Sequence, residues 1–234
     1  MTYCTEYCLD MPEDFPCTEF TAFMAIARRV LLSPTESPVW KEFAGASNLI
    51  GWRFRASYED WQSHKQSLID VSNPNHEELY QRERALFGMF SSGVASIDSS
   101  IYALSALASP PSVLSLRFGP DEQRACNPRR LIEWLRPHPR ANGLSQVLID
   151  LVSSRQWSLW VDLRNRMAHR SNLPRIIFAA SGGPLPVTKP LVFAATSSTP
   201  NVNADTTDFD ALHLWLAVTI RKLIIEGGNL ANVP

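Results

Sequence analysis

The residues best suited to chemistry are gathered in one short run, Leu163-Arg164-Asn165-Arg166-Met167-Ala168-His169-Arg170. Histidine has an ordinary pKa of about 6.5, so His169 can take or deliver a proton near neutral pH. Arginine stays charged, and its planar guanidinium forks onto two phosphate oxygens. Together they suit RNA cleavage without a metal: the ribose 2′-hydroxyl attacks the neighbouring phosphate, the 5′-oxygen leaves, and a guanidinium stabilises the negative charge gathered on the phosphorane. One histidine supplies only half of the acid–base pair. On a helix, positions 165 and 169 lie about 40° apart, whereas 164 and 169 lie about 140° apart. Asn165 can therefore orient the imidazole, while Arg164 must swing its long side chain round to a phosphate held near His169. Arg166, Arg170 and Arg175 are candidate RNA contacts. The structural alternative is a basic helix end favoured by the dipole, with His169 capping the last carbonyls.

Charge around this run is uneven. The chain carries a net charge of −1, which argues against a protein coated in nucleic acid. Residues 117–175 nevertheless hold eleven arginines, no lysine and five acids, a local excess of +6, against −7 for the remainder. Arginine in place of lysine favours bidentate phosphate contacts and stacking on bases.

Other chemistries lack their motifs. There is no Walker loop, no glycine-rich dinucleotide fingerprint after a strand, no His-Glu-x-x-His helix and no Gly-x-Ser-x-Gly elbow. Cys4, Cys8 and Cys17 cluster in the first 17 residues and Cys126 stands apart, a spacing that matches no zinc pattern. They read as reduced thiols in a loosely packed segment, and neither metal nor cofactor is expected. His64, His76 and His138 sit among polar residues or prolines and read as surface groups, while His213, between Leu212 and Leu214, could face either way.

The elements that must position the run are mainly helical. Apolar residues recur at three- and four-residue steps over Thr18 to Leu32, Ser47 to Val71, His76 to Ala108, Arg129 to Arg136, 144 to about 170, and Asp208 to Glu226. The third of these has an unusually small-sided middle, Ser91 to Ser100, where another helix could approach the backbone closely. Ser153-Ser154-Arg155-Gln156 can interrupt the element that ends in the arginine-rich run. Ile176-Ile177-Phe178 and Leu191-Val192-Phe193 are β-prone runs separated by Gly and Pro. The expected fold is a mainly α, antiparallel bundle of about five main helices, with a small β-hairpin inserted between the motif helix and the last helix. Residues 1–234 read as one domain, with 1–17 irregular and 171–204 the extended or hairpin insertion. No apolar run approaches the roughly 18–20 residues of a membrane span, and the first residues lack a basic-then-apolar signal, so a soluble cytoplasmic protein is expected.

Arg164-Asn165-x-x-x-His169, late in such a bundle, resembles the R-x4-6-H signature of HEPN domains, including the polar residue that often follows its arginine. The resemblance implies a ribonuclease whose two subunits pair their motifs into one cleft, so that a homodimer supplies the second histidine. It also implies Arg164 and His169 as catalytic residues, Asn165 as the orienting group, and a toxin or phage-defence setting with an antitoxin-like protein as a possible partner. Members of this family also include non-catalytic RNA- or nucleotide-binding and protein-interaction modules. The small-residue helix and the tryptophans Trp52, Trp61 and Trp157 would suit that alternative.

Overall fold

Three long helices run through a computed structural model that describes residues 1–31, 38–70, 74–169, 175–176, 192–193 and 206–232. In chain order the described elements are β1 (Thr2–Cys4), β2 (Leu9–Met11), α1 (Cys17–Leu31), α2 (Pro38–Asp70), α3 (His76–Leu107), α4 (Pro120–Ala125), α5 (Pro128–Leu135), a 3₁₀ turn (Pro139–Ala141), α6 (Asn142–Ser153), α7 (Arg155–His169), β3 (Arg175–Ile176), β4 (Val192–Phe193) and α8 (Thr206–Ala231). The fold is mainly α, and the small antiparallel pair β3–β4 stands between α7 and α8, with Arg175 opposite Phe193 and Ile176 opposite Val192. No described helix is long and apolar enough to cross a membrane.

The chain divides into two compact units, residues 1–55 with 95–154 and 216–234, and residues 56–94 with 155–215. Helices α2, α3 and α8 contribute to both, so no linker composition marks the division. The segment 1–17, expected to be irregular, pairs β1 with β2 antiparallel, Tyr3 opposite Asp10. Cys8 is exposed, but Cys4 and Cys17 are packed close together. Cys4 is fully buried, and burial, followed by the hydrogen bond and charge of Cys4, pushes the Cys17 thiol up to about 12.

The core of the first unit is aromatic. Tyr7 stacks on Phe20 with centroids 4.8 Å apart, Phe15 meets Phe54 at 5.3 Å, and Phe23 meets Phe43 at 5.6 Å. The Tyr7 hydroxyl donates to the Ser47 carbonyl at 2.8 Å and accepts the Gly51 N–H at 3.0 Å. Those two groups are one helical turn apart, so the hydroxyl ties the N-terminal segment to a single turn of α2. Gly51 makes this possible, since a Cβ there would stand 2.7 Å from the hydroxyl oxygen. Burial drives the Tyr7 phenol well above its ordinary range, outweighing the hydrogen bond from Gly51. Helix α2 begins at Pro38, earlier than its apolar pattern from Ser47 suggests, because Trp40 stacks on the buried Phe43 at 5.7 Å and ties the first turn to the core.

The second unit is built on a column of rings. Trp160 of α7 meets Phe90 of α3 edge-on at 5.2 Å, Phe90 meets Phe209 of α8 at 5.3 Å, and Phe209 meets Trp61 of α2 at 5.6 Å. Edge-to-face contacts of this kind add about 0.5–1.5 kcal/mol each beyond area burial. The Trp61 indole donates to Asp210 at 2.6 Å, and Lys65 pairs with the same carboxylate at 2.8 Å. Gly93 is where the small-residue stretch of α3 admits a neighbour: a Cβ there would lie 2.7 Å from Trp160 Cη2.

Candidate functional site

The element carrying Arg164 and His169 is separated from α6 by Ser154 alone, whose backbone is extended. The interruption has a local cause. The Ser153 hydroxyl donates to the Ile149 carbonyl and the Ser154 hydroxyl to Leu151 at 2.8 Å, offering the backbone an alternative to the continuous ladder. From Arg155 onward Gln, Leu, Arg, Met and Ala supply residues that favour a helix.

Helix α7 buries one stripe. Leu159, Trp160, Leu163 and Arg166 are 8%, 0%, 0% and 6% exposed, recurring at one, three and four residues. Trp160 anchors the stripe through Phe90 and through its Nε1–H, which donates to the Leu212 carbonyl at 3.4 Å. Asp162 and Ala168 are exposed, whereas Arg164 and Asn165 are half-buried. The Arg164 Nε atom is buried and has no hydrogen-bond partner among the described residues. Position 165 lies about 200° round the helix from Leu163, away from the packed face, and position 169 falls one turn beyond it.

The sequence-derived candidates therefore part company. Arg164 and Asn165 remain partly accessible on a helix held rigid from the opposite side. His169 is the last residue of α7, and its side chain lies outside the described residues, as do Arg170 and the side chain of Arg175 in β3. Arg166 continues the apolar stripe of Leu159 and Leu163 and faces the interior, where an RNA contact was expected. The stem of an arginine packs like an aliphatic chain, which is how the guanidinium residue shares this face with leucines. Helical geometry keeps positions 164 and 169 about 140° apart, so a phosphate held by both would have to be reached by the Arg164 stem.

No protein-family model, curated protein or solved structure matches the chain.

Sequence reasoning missed a second group of polar residues in this unit. His64, read as a surface residue, is completely buried and stacked on Trp61 with centroids 5.7 Å apart. Its Nδ1 lies 3.1 Å from the Arg82 carbonyl oxygen, which can only accept, so the proton sits on Nδ1. The Arg82 guanidinium donates to the Ser67 carbonyl, and the Ser67 hydroxyl returns to the His64 carbonyl at 2.7 Å. His213, ambiguous in the sequence, is 4% exposed and lies 5.5 Å from the Tyr58 ring. His76 is exposed and His138 half-buried. The available signal was the periodic placement of Tyr58, Trp61 and His64 on α2, three residues apart, which the polar neighbours Ser63, Lys65 and Gln66 obscured.

Proposed function

We propose that α7 carries half of a metal-independent endoribonuclease site of HEPN type, completed by a second copy of the chain in a homodimer. The observation that carries this reading is the contrast along α7. Trp160 and Leu163 are fully buried and fix the helix, while Arg164 and Asn165 stay partly accessible beside the terminal His169. Rigid support of a polar constellation is what positioning catalysis requires.

In the proposed reaction the 2′-oxygen loses its proton to one histidine and forms a bond to the adjacent phosphorus. The bond from phosphorus to the 5′-oxygen then breaks, and the leaving oxygen takes a proton from the histidine of the second copy. Arg164 offsets charge on the phosphorane, and Asn165 orients the imidazole of His169. The products are a 2′,3′-cyclic phosphate end and a free 5′-hydroxyl. A toxin or phage-defence setting, and an antitoxin-like partner, belong to the same reading. The test is incubation of the purified chain with single-stranded and structured RNA in EDTA. Cleavage leaving cyclic phosphate ends is expected, and it should vanish in His169→Ala and fall in Arg164→Ala. Activity that survives His169→Ala removes the assignment.

One observation favours a second reading, a non-catalytic module that binds RNA, a nucleotide or a protein. Arg166 and part of Arg164 are withdrawn from solvent, as in a helix whose cations serve packing. A strictly monomeric mass in solution, with and without RNA, together with no cleavage, would select it.

A further inference from the structure

Away from α7, the first unit brings two free thiols together. Cys4 ends β1 and is 1% exposed, and the turn that follows it is closed by the Tyr7 N–H, which donates to the Cys4 carbonyl at 3.2 Å. The Tyr7 ring then fixes the partner. It meets Phe15 at 5.7 Å and Phe20 at 4.8 Å, and Cys17 stands between those two residues in the chain, its N–H donating to the Phe15 carbonyl at 2.8 Å where α1 begins. Cys17 is half-buried there, and its thiol shares a hydrogen bond with that of Cys4.

Cys8 is turned away from this pair. Its backbone takes a left-handed φ of 53°, its exposed thiol donates to the Thr5 carbonyl at 3.4 Å, and it also contacts Tyr3, which is 60% exposed. Tyr3 and Cys4 are successive residues of one strand and so face opposite sides of the hairpin. Cys8 therefore belongs with the outer side, and Cys4 with the inner side against Cys17.

We infer that Cys4 and Cys17 are the site of a disulfide that staples the β1–β2 hairpin to α1, formed by exchange with a small-molecule disulfide. The deprotonated Cys17 sulfur attacks one sulfur of the oxidant and expels the other as a thiolate. The Cys4 sulfur, giving up its proton, then attacks Cys17 and expels the second thiolate, and the two expelled groups take up the two protons released. The protein loses two hydrogens, and the S–S bond of the oxidant becomes two thiols. Burial and the neighbouring Cys4 push the Cys17 thiol up to about 12, unlike the lowered values of catalytic cysteines. Such a thiol attacks slowly and leaves poorly, so the bond forms slowly and then resists reduction. The site is independent of the motif on α7, and neither proposal depends on the other.

The test is incubation of the folded full chain with oxidised glutathione until the products stop changing, then alkylation of the remaining thiols and peptide mapping without reduction. A Cys4–Cys17 link is expected, with Cys8 recovered as a thiol or as its glutathione adduct, and Cys8→Ser should leave the link unchanged. Closing a loop of this size shifts the unfolding equilibrium by roughly a hundredfold. Urea unfolding of the oxidised chain should therefore show a raised midpoint, a gain that is absent in Cys17→Ser. The inference fails if Cys4 and Cys17 are recovered as thiols, if either is linked to a different cysteine, or if the linked chain is no more stable than the reduced one.

Discussion

Alanine at position 93 puts one methyl group against the ring that anchors the motif helix. The added carbon would stand 2.7 Å from Trp160 Cη2 and 3.0 Å from Cε3, and closer still to Cζ3. Carbon atoms pack at about 3.5–4.0 Å, so the indole or the helices must separate by roughly 1 Å. The ring has no easy escape. It is fully buried, meets Phe90 on one side at 5.2 Å, and spends its N–H on Leu212. Overpacking of this kind costs about 1–3 kcal/mol. Against it, replacing glycine by alanine inside a helix returns about 1 kcal/mol. Because both colliding groups belong to rigid parts, we expect the upper half of the range and a net loss of about 1–2 kcal/mol. Urea unfolding of Gly93→Ala should show a lowered midpoint at unchanged slope. In a Trp160→Phe background the smaller ring relieves the clash, and the same substitution should become neutral or stabilising, a coupling of about 1–3 kcal/mol. A Gly93→Ala protein more stable than the native chain, or an equal cost of Gly93→Ala in the Trp160→Phe background, would show that the indole does not lie against Gly93.

Four other substitutions have outcomes that follow from the structure. Tyr7→Phe removes the hydroxyl that bridges Ser47 and Gly51, and urea unfolding should register a loss of about 1–3 kcal/mol. The Tyr7 phenol is raised by burial, so its stabilising effect is complete below the ordinary tyrosine pKa of about 10 and is lost as pH rises through the higher folded value. Alkaline titration of the unfolding midpoint should therefore fall more steeply in the native chain than in Tyr7→Phe. The Asp60 carboxyl is raised by burial, opposed by Arg84 and assisted by Glu59. Its ionised form weakens the folded state, so Asp60→Asn should raise the midpoint at neutral pH and lose that advantage below the ordinary aspartate range. Arg166→Ala should lower stability by about 1–3 kcal/mol, measured by urea, because it empties a buried position. Under the proposed ribonuclease reading, Arg164→Ala should lower RNA cleavage with a smaller stability change.

The helices were legible wherever a long stretch kept one period. Phe20, Phe23, Met24, Ala27 and Leu31 all face the interior of α1, as their spacing demands. The small middle of α3 was legible too, because Gly93 without a side chain implies a close neighbour, here Trp160. What was not legible depends on partners distant in the chain. The start of α2, Pro38-Val39-Trp40-Lys41, shows no clear helical period and is tied to the core only through Trp40 on Phe43 and Phe43 on Phe23, and β1 pairs with β2 over runs too short to alternate clearly. The division into two units leaves no mark in composition, since α2, α3 and α8 pass through both without a break.

The motif shows a different limit. Spacing on a helix fixes angles between positions, so Asn165 and His169 could be placed on neighbouring faces before any fold was known. Which of those faces meets the core is decided by other helices. Trp160 is turned inward by Phe90 and Leu212, and that choice turns Leu159 inward beside it. Arg166 stands seven residues after Leu159, about 20° from it round the axis, so it goes inward as well. A run of like-charged residues therefore cannot be read as one surface: in α7 the arginines at 164 and 166 differ by about 200° round the axis, and burial separates them into a core residue and a half-exposed one. The same logic explains His64, whose polar neighbours along the chain say nothing about Trp61 one turn before it and Arg82 across from it. Sequence reports what a helix turn holds, and packing decides which part of it meets solvent or substrate.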